Sequence, residues 1–277
     1  MKKYVFVDID GTLTNSKRKV SKANIKAIND IEQKKEFEIV FCSGRNNDYL
    51  VELSKKCNTS NYIISSNGSM VYNQKTKKVT HKDKIPFKIL NKIYEYCKEH
   101  RVAISFNTEK CRYCNDFLNY DINYKKKDTK RIRSINDMKT KNITQFVMGS
   151  YNYEQMLEVK KFLDTIPNLE IVNISTTMKL KQINSPDGFF YDVVIRGVNK
   201  GTGISNFIKK KKIDVKNCIA IGDHINDIDM FKAVGYKIAM GNACDELKEK
   251  ADFITKTNDE DGVKYALEHL EKEFNKN

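Results

Sequence analysis

An apolar run, Tyr4-Val5-Phe6-Val7, ends in two aspartates, Asp8 and Asp10, and then in Gly11-Thr12-Leu13. A β-branched and aromatic run of this kind predicts a buried strand. The two acids sit where that strand stops, and Gly11 frees the chain to turn away. In open α/β sheets, ligands bind beyond the C-terminal ends of the strands. Two carboxylates placed there repel each other unless a cation joins them or one takes a proton. The segment therefore calls for a metal, an acid/base role, or both. A helix-loop-helix calcium site is a poor fit, because its glycine belongs two positions later. The plainer alternative is a solvated turn.

The rest of the chain extends this beginning into a pattern. Ser21 predicts an N-cap for a helix carrying Ile25, Ile28 and Ile31. A second apolar strand, residues 37–42, ends in Ser43-Gly44-Arg45. A helix over 47–56 leads to a short strand at 62–65 and the turn signal Asn67-Gly68. This βαβαβ order predicts a parallel sheet covered by helices. Beyond residue 80 the rhythm changes. Helices are expected at 87–100 and 153–163, and strands at 102–106, 143–148, 171–174, 178–183 and 189–195, with a basic polar stretch between the first two strands. Pro86 and Ser185-Pro186-Asp187-Gly188 bound this module. Strict alternation then returns: a helix over 200–211, a strand at 218–221 ending in Gly222-Asp223, a helix over 228–234, strands at 236–240 and 252–255, and a last helix with Val263, Ala266, Leu267 and Leu270. The expected fold class is α/β: a Rossmann-like parallel-sheet core, residues 1–83 and 188–277, with an inserted α+β domain at 84–187.

Composition narrows the function. The 277 residues are 40% hydrophobic, enough for a real core. No apolar run approaches the ~20 residues of a membrane span, and nothing at the N-terminus resembles a signal peptide. The seven cysteines are scattered and odd in number, which suits reduced thiols. A cytoplasmic protein with no membrane partner is expected. The net charge of +14 raises the possibility of nucleic acid. The excess, however, is spread over both regions of a Lys-, Asn- and Ile-rich chain, so no nucleic-acid partner is expected. The runs Lys125-Lys126-Lys127 through Arg133 and Lys209 to Lys212 stand out, and the second closes a helix, where cations suit the dipole. Positive potential also attracts phosphorylated small molecules.

Three strand ends offer polar groups: Asp8 and Asp10, Ser43 and Gly44, and Asp223 with Asn226 and Asp227. In a parallel sheet these ends share one edge. Lys200, opening a helix, adds a cation. Several carboxylates, a lysine and a small hydroxyl suit Mg²⁺ and a phosphate. A carboxylate can also attack phosphorus.

Four segments in order carry a specific resemblance: Asp8-Ile9-Asp10-Gly11-Thr12-Leu13, Phe41-Cys42-Ser43-Gly44-Arg45, Gly197-Val198-Asn199-Lys200-Gly201 and Gly222-Asp223-His224-Ile225-Asn226-Asp227. With Ala239-Met240-Gly241-Asn242-Ala243 and Asn258-Asp259-Glu260-Asp261-Gly262-Val263, the chain resembles the haloacid dehalogenase superfamily, in its Cof-like phosphatase branch with a large α+β cap. The resemblance covers the two flanks, and the middle matches only in size and strand-rich pattern. It implies a Mg²⁺-dependent phosphatase acting on a small phosphorylated metabolite through an aspartyl-phosphate. Asp8 would be the nucleophile and Asp10 the acid/base. Mg²⁺ would be held by Asp8, the Asp10 carbonyl and Asp223. Ser43, Gly44, Lys200 and Asn226 would bind the phosphoryl group. Thr12 would fix Asp10, Asp227 would orient Lys200 or metal-bound water, and Arg45 and Asn67 would line the pocket wall. The module 84–187 would be a cap that selects the substrate.

Plainer roles compete at single positions. Asp227 also fits a helix N-terminal acid, and Ser43 a helix cap. His224 is expected to face solvent. Asn67-Gly68 fits a structural turn as well as a pocket wall. Cys111-Arg112-Tyr113-Cys114 has the spacing of half a zinc site, with no second pair at finger spacing. Among functions, a phosphomutase of the same superfamily is the main alternative. A non-catalytic phospho-ligand sensor ranks below it, because the acids and the lysine are all present. The motifs grip only a phosphate, leaving sugar phosphates, nucleotides and phosphorylated cofactors open as substrates, and they say nothing of oligomeric state.

Overall fold

A computed structural model of the protein describes residues 2–59, 62–115, 129–174 and 188–274. The chain divides into two compact units: Met1–Arg45 with Tyr49–His81 and Asn199–Asn277, and Asn46–Asp48 with Lys82–Val198.

The first unit is built on an eight-stranded sheet in the order β14-β13-β12-β1-β2-β3-β4-β5. Its strands are β1 (Lys3–Val7), β2 (Phe37–Cys42), β3 (Tyr62–Ser65), β4 (Met70–Asn73), β5 (Lys78–Lys82), β12 (Cys218–Gly222), β13 (Tyr236–Ala239) and β14 (Phe253–Ile254). From β14 to β3 neighbouring strands run parallel, and β4 turns back antiparallel on β3. Val5, Phe6 and Val7 are all fully buried, as a central parallel strand covered on both faces requires. On one face Phe207 of the helix Lys200–Lys211 packs edge-on against Tyr4, Phe6 and Tyr62. Alternation sends Val5 and Val7 to the other face. Helix α1 (Lys22–Gln33) starts as its sequence predicts: Ser21 Oγ accepts the Asn24 N–H at 3.0 Å. It packs against the last helix, Gly262–Phe274. The β4–β5 pair was not foreseen beyond the Asn67-Gly68 turn. Lys-Val-Thr-His-Lys of β5 lies at the sheet edge, where burial imposes no apolar signature.

The second unit has its own core and its own six-stranded sheet, in the order β10-β11-β9-β6-β7-β8. The strands are β6 (Ala103–Asn107), β7 (Arg112–Asn115), β8 (Thr129–Arg131), β9 (Gln145–Ser150), β10 (Leu169–Ile174) and β11 (Phe189–Ile195), with helices Phe87–Glu99 and Tyr153–Asp164. Two differences from expectation stand out. The basic polar stretch after residue 106 contains β7 and β8. The chain from 188 to 198 belongs to this unit and not to the sheet domain, because β11 pairs with β9 and β10 and buries Phe189, Tyr191 and Val193 in the second core. Apart from the short excursion Asn46–Asp48, the change of unit falls at 81/82 and 198/199. The strand expected at 178–183, the triplet Lys125–Lys127 and the Pro186 boundary lie outside the described residues. Among the described residues, no helix is long and apolar enough to cross a membrane.

Candidate active site

Three neighbouring strands deliver the chemistry to one edge. Val7 of β1 is in register with Phe41 of β2 and with Ile221 of β12. Asp8, Ser43 and Asp223 therefore emerge one or two residues later at the same level. The Asp8 N–H donates to the Ile221 carbonyl at 3.0 Å, which extends the ladder to the first acid.

Lys200 comes from elsewhere. It is the first residue of its helix, which Asn199 caps: the Asn199 side chain accepts the Thr202 N–H at 2.9 Å, and Thr202 Oγ1 accepts the Asn199 N–H at 2.9 Å. This fixes the helix start and sends the lysine inward. Lys200 Nζ donates to Asp8 Oδ1 and to Asp227 Oδ1, each at 2.6 Å, and all three side chains are at most 5% exposed. Asp227 is further committed, since its Oδ2 accepts the N–H groups of Asp223 at 3.0 Å and His224 at 3.1 Å. Of the two roles expected for Asp227, the geometry displays the orientation of Lys200. The helix-acid alternative is met as well: Asp227 is the third residue of the Ile225–Asp227 turn, and its Oδ2 takes the N–H of the capping residue His224.

Thr12 departs from expectation. Its hydroxyl donates to Asp223 Oδ1 at 2.8 Å and not to Asp10. The cause is the turn at Gly11, whose φ is +86°. That turn brings the loop so close to Asp223 that a Cβ at position 11 would lie 2.3 Å from Asp223 Oδ2. Asp10 is held instead by Arg45, whose Nε and Nη2 reach its two oxygens at 2.8 and 2.6 Å. This fork is half-exposed, and the sequence offered Arg45 only as a wall residue. Two asparagines brace the same loop without having been assigned a task. Asn242 Nδ2 donates to the Gly11 carbonyl at 2.9 Å, and Asn258 Nδ2 to the Thr14 carbonyl at 2.9 Å. Asn242 Oδ1 accepts the Asn258 N–H at 2.8 Å, linking the two. Their presence in the two C-terminal motifs was the available signal.

Ser43 is buried, and its Oγ accepts the Arg45 N–H at 3.2 Å. It closes its own turn and does not cap the helix that starts at Asn47. Gly44 and Asn67 pack on each other beside it. Asn226 is half-buried on the Ile225–Asp227 turn, outside the hydrogen-bonded cluster just described. His224 is half-buried, and its main chain serves Asp227. Cys111 and Cys114 are both buried in the second unit.

Charge is unbalanced at this edge. Carboxylate oxygens of Asp8, Asp223 and Asp227 lie within 4.8 Å of one another, and among the described residues this is the grouping of ligand atoms tight enough to hold a metal ion. Three acids face one lysine, an excess of two negative charges. Burial, reinforced by Asp227 and Asp223, holds the Asp8 carboxyl well above the usual carboxylate range despite Lys200. Burial and Asp227 push Asp223 to about 6, against the opposing pull of Thr12 and Lys200. Burial alone would lower Lys200, but Asp227 and Asp8 outweigh it and keep the ammonium charged. Hard oxygen donors with uncompensated charge fit a divalent cation. The ammonium and the Ser43 turn beside them are suited to an anion. An oxyanion that brings its own cation fits both halves.

Comparison with known proteins agrees with this chemistry. The sequence pattern of haloacid dehalogenase-like hydrolases matches residues 5–267. A 5-amino-6-(5-phospho-D-ribitylamino)uracil phosphatase of Bacillus subtilis is 29% identical over 276 residues, covering 96% of this chain and 95% of that protein. A haloacid dehalogenase-like hydrolase from Bacteroides thetaiotaomicron superposes with a TM-score of 0.78 at 25% identity, covering 98% of this chain and 100% of the other. A sugar phosphatase of haloacid dehalogenase subclass IIB superposes with a TM-score of 0.72 at 25% identity, covering 97% and 99%. The chain belongs to the haloacid dehalogenase-like hydrolases, as a phosphatase of the Cof-like branch.

Proposed function

We propose that the protein is a Mg²⁺-dependent phosphatase that hydrolyses a small phosphorylated metabolite through an aspartyl-phosphate on Asp8. The observation that carries this reading is Lys200, buried and shared between Asp8 and Asp227 at 2.6 Å each, beside a third acid, Asp223. A lysine so placed holds the attacking carboxylate and offers positive charge to a phosphoryl oxygen in the same place. Asp8 and Asp223, with the Asp10 main-chain carbonyl, would hold the metal. Asp227 has less to give, since its oxygens already serve Lys200 and two N–H groups. When bound, Mg²⁺ supplies further positive charge against the phosphoryl oxygens.

The chain's own groups divide the remaining work. An Asp8 oxygen forms a bond to phosphorus as the ester oxygen leaves, and Asp10 gives that oxygen a proton. Water then attacks phosphorus, Asp10 takes a proton from it, and Asp8 is released with phosphate. Ser43, Gly44 and Asn226 bind the phosphoryl group with Lys200. Before Asp10 can act, the Arg45 fork must give up at least one of its two bonds.

The relatives' names suggest the substrate class. One acts on a phosphorylated ribityl compound, and one is a sugar phosphatase. Both point to a phosphate on a sugar or polyol hydroxyl, an alkoxide leaving group that needs protonation. Nucleotides and phosphorylated cofactors complete the panel to be tested. We assign choice of the leaving group to the second unit, with Tyr113 and Asn115 as candidates; Lys179 lies outside the described residues. The test is phosphate release from such a panel with Mg²⁺, with and without a sugar bisphosphate. Release without the bisphosphate supports a phosphatase, whereas strict dependence on it indicates a mutase. Absence of turnover on the whole panel would refute the proposal.

A further inference from the structure

Beyond β3 the chain does something costly. Ser66, Asn67 and Gly68 have φ of 52°, 54° and 94°, three left-handed residues in a row, of which only the last is a glycine. Left-handed backbone is unfavourable for side-chain-bearing residues and persists where the surroundings enforce it. The segment is also buried: Ser65, Ser66 and Ser69 are fully covered, and Asn67 is 2% exposed. Yet Asn67 Nδ2 and the hydroxyls of Ser65, Ser66 and Ser69 are buried with no hydrogen-bond partner among the described residues. Buried donors without partners are rare and call for an explanation.

The position of Asn67 supplies one. Its N–H donates to the Ser43 carbonyl at 3.1 Å, and the Ser66 N–H donates to the Arg45 carbonyl at 3.0 Å. The Asn67 amide lies flat over Gly44, so close that a Cβ there would stand 2.8 Å from Oδ1 and 3.0 Å from Nδ2. On its other flank, Gly68 abuts the Asn199 carbonyl and the Lys200 N–H, where a Cβ would stand 1.9 and 3.1 Å away. Residues 67 and 68 are therefore wedged between two elements: Asn67 lies against the Ser43-Gly44 turn, and Gly68 against the first residue of the lysine's helix. Those are the two elements that grip the phosphate in the reading above.

We propose that Asn67 is a phosphoryl-binding residue, whose Nδ2 donates to an oxygen of the phosphate held by Ser43 and Lys200. The inference rests on the phosphatase reading and adds a residue to it. The left-handed backbone is what turns the amide toward Gly44, and the lack of a Cβ at Gly44 is what admits it. A phosphate oxygen would then partner the buried donor. Ionised acceptors strengthen such bonds.

The test uses the full-length protein with Mg²⁺, inorganic phosphate as the probe and p-nitrophenyl phosphate as the reporter. Asn67→Asp keeps the shape and removes the donor. Asn67→Gly keeps the left-handed backbone and removes the amide. Loss of a hydrogen bond to a charged group predicts an inhibition constant for phosphate raised about ten- to hundredfold in both variants, with a similar loss in kcat/KM. Thermal unfolding without metal reports whether each variant is folded, and Asn67→Gly carries the test if Asn67→Asp does not fold. Phosphate affinity retained in Asn67→Asp but lost in Asn67→Gly would mean that Asn67 acts by shape, and would overturn the assignment. Affinity retained in both, or lost only in Asn67→Asp, would overturn it as well. If the wild-type protein turns over the ester while the variants match it, this inference alone fails. If the wild type neither turns over an ester nor binds phosphate, the phosphatase reading fails with it.

Discussion

Replacing Asp8 by asparagine should abolish turnover and leave the metal-free protein at least as stable as wild type. The magnitude follows from the distances. At an effective dielectric of 20, Lys200 at 2.6 Å attracts Asp8 by about 6 kcal/mol. Asp223 and Asp227, within 4.8 Å, each repel it by about 3.5 kcal/mol or more. Attraction and repulsion nearly cancel, so the desolvation of a buried carboxylate decides the sign, and it opposes the charge. Asparagine keeps the shape and an acceptor for Lys200 without the charge. We expect a gain of 0 to about 2 kcal/mol in chelator, or up to roughly 6 °C in Tm. The pH dependence has a definite sign. The Asp8 pKa is raised on folding, so between the unfolded and the folded pKa the folded wild type holds a proton that the unfolded chain has lost. Its stability from this group is present below about pH 4 and declines as pH rises above that. The advantage of Asp8→Asn should thus be small near pH 4 and larger near pH 7. Added Mg²⁺ at a hundredfold over its Kd should stabilise wild type by about 2.7 kcal/mol and the variant less, reversing their order. The assays are thermal unfolding from pH 4 to 8, with chelator and with Mg²⁺, alongside phosphate release. A variant less stable than wild type by about 3 kcal/mol in chelator would show that the Lys200 attraction dominates, and would refute the reasoning. Near-normal turnover would refute the nucleophile.

Three further outcomes follow from the same edge. Lys200→Met should cost about 3–5 kcal/mol of stability in denaturant titration, because two buried acids, Asp8 and Asp227, lose their cation, and it should remove turnover; a stability within 1 kcal/mol of wild type would contradict the charge count. The Mg²⁺ concentration for half-maximal activity should climb as pH falls below about 6, where Asp223 gains a proton that competes with the metal. Thr12→Val removes a bond that favours the ionised form, so its climb should begin at higher pH with kcat at saturating Mg²⁺ little changed; an unshifted curve would deny Thr12 this task. Gly68→Ala should destabilise by about 2 kcal/mol or more, since its φ is +94° and the new Cβ would meet the Asn199 carbonyl; calorimetry showing no change would mean that the segment yields freely.

Much of this site is legible in the sequence for a local reason. Strands β1, β2 and β12 are buried on both faces, so each is written as a mainly apolar run, with Glu38 the exception inside β2, and the polar residue that follows marks its end. Parallel pairing then brings those ends to one edge without further information. That is why Asp8, Ser43 and Asp223 can be grouped across more than 200 residues. Lys200 is legible too, as the residue that opens a helix with Ile204, Phe207 and Ile208 turned inward. Elements without a local signature were missed: β5 and β8 are short edge strands. β11 was expected as a strand at 189–195, but it reads as apolar whichever sheet it joins, so its unit was not legible.

The chain's order of residues by itself determined the α/β class, the strand ends and which acids and lysine would meet. These follow from burial and periodicity, which act over neighbours in sequence. Tertiary structure alone decided who holds whom. Thr12 could have bonded either nearby aspartate, and the left-handed turn at Gly11 aims it at Asp223. Asp10 was left to the Arg45 fork, and Asn242 and Asn258 became braces for a loop more than 200 residues away. Hydrogen bonds act over about 3 Å and depend on angle, so their pairing exists only once the backbone has placed both partners.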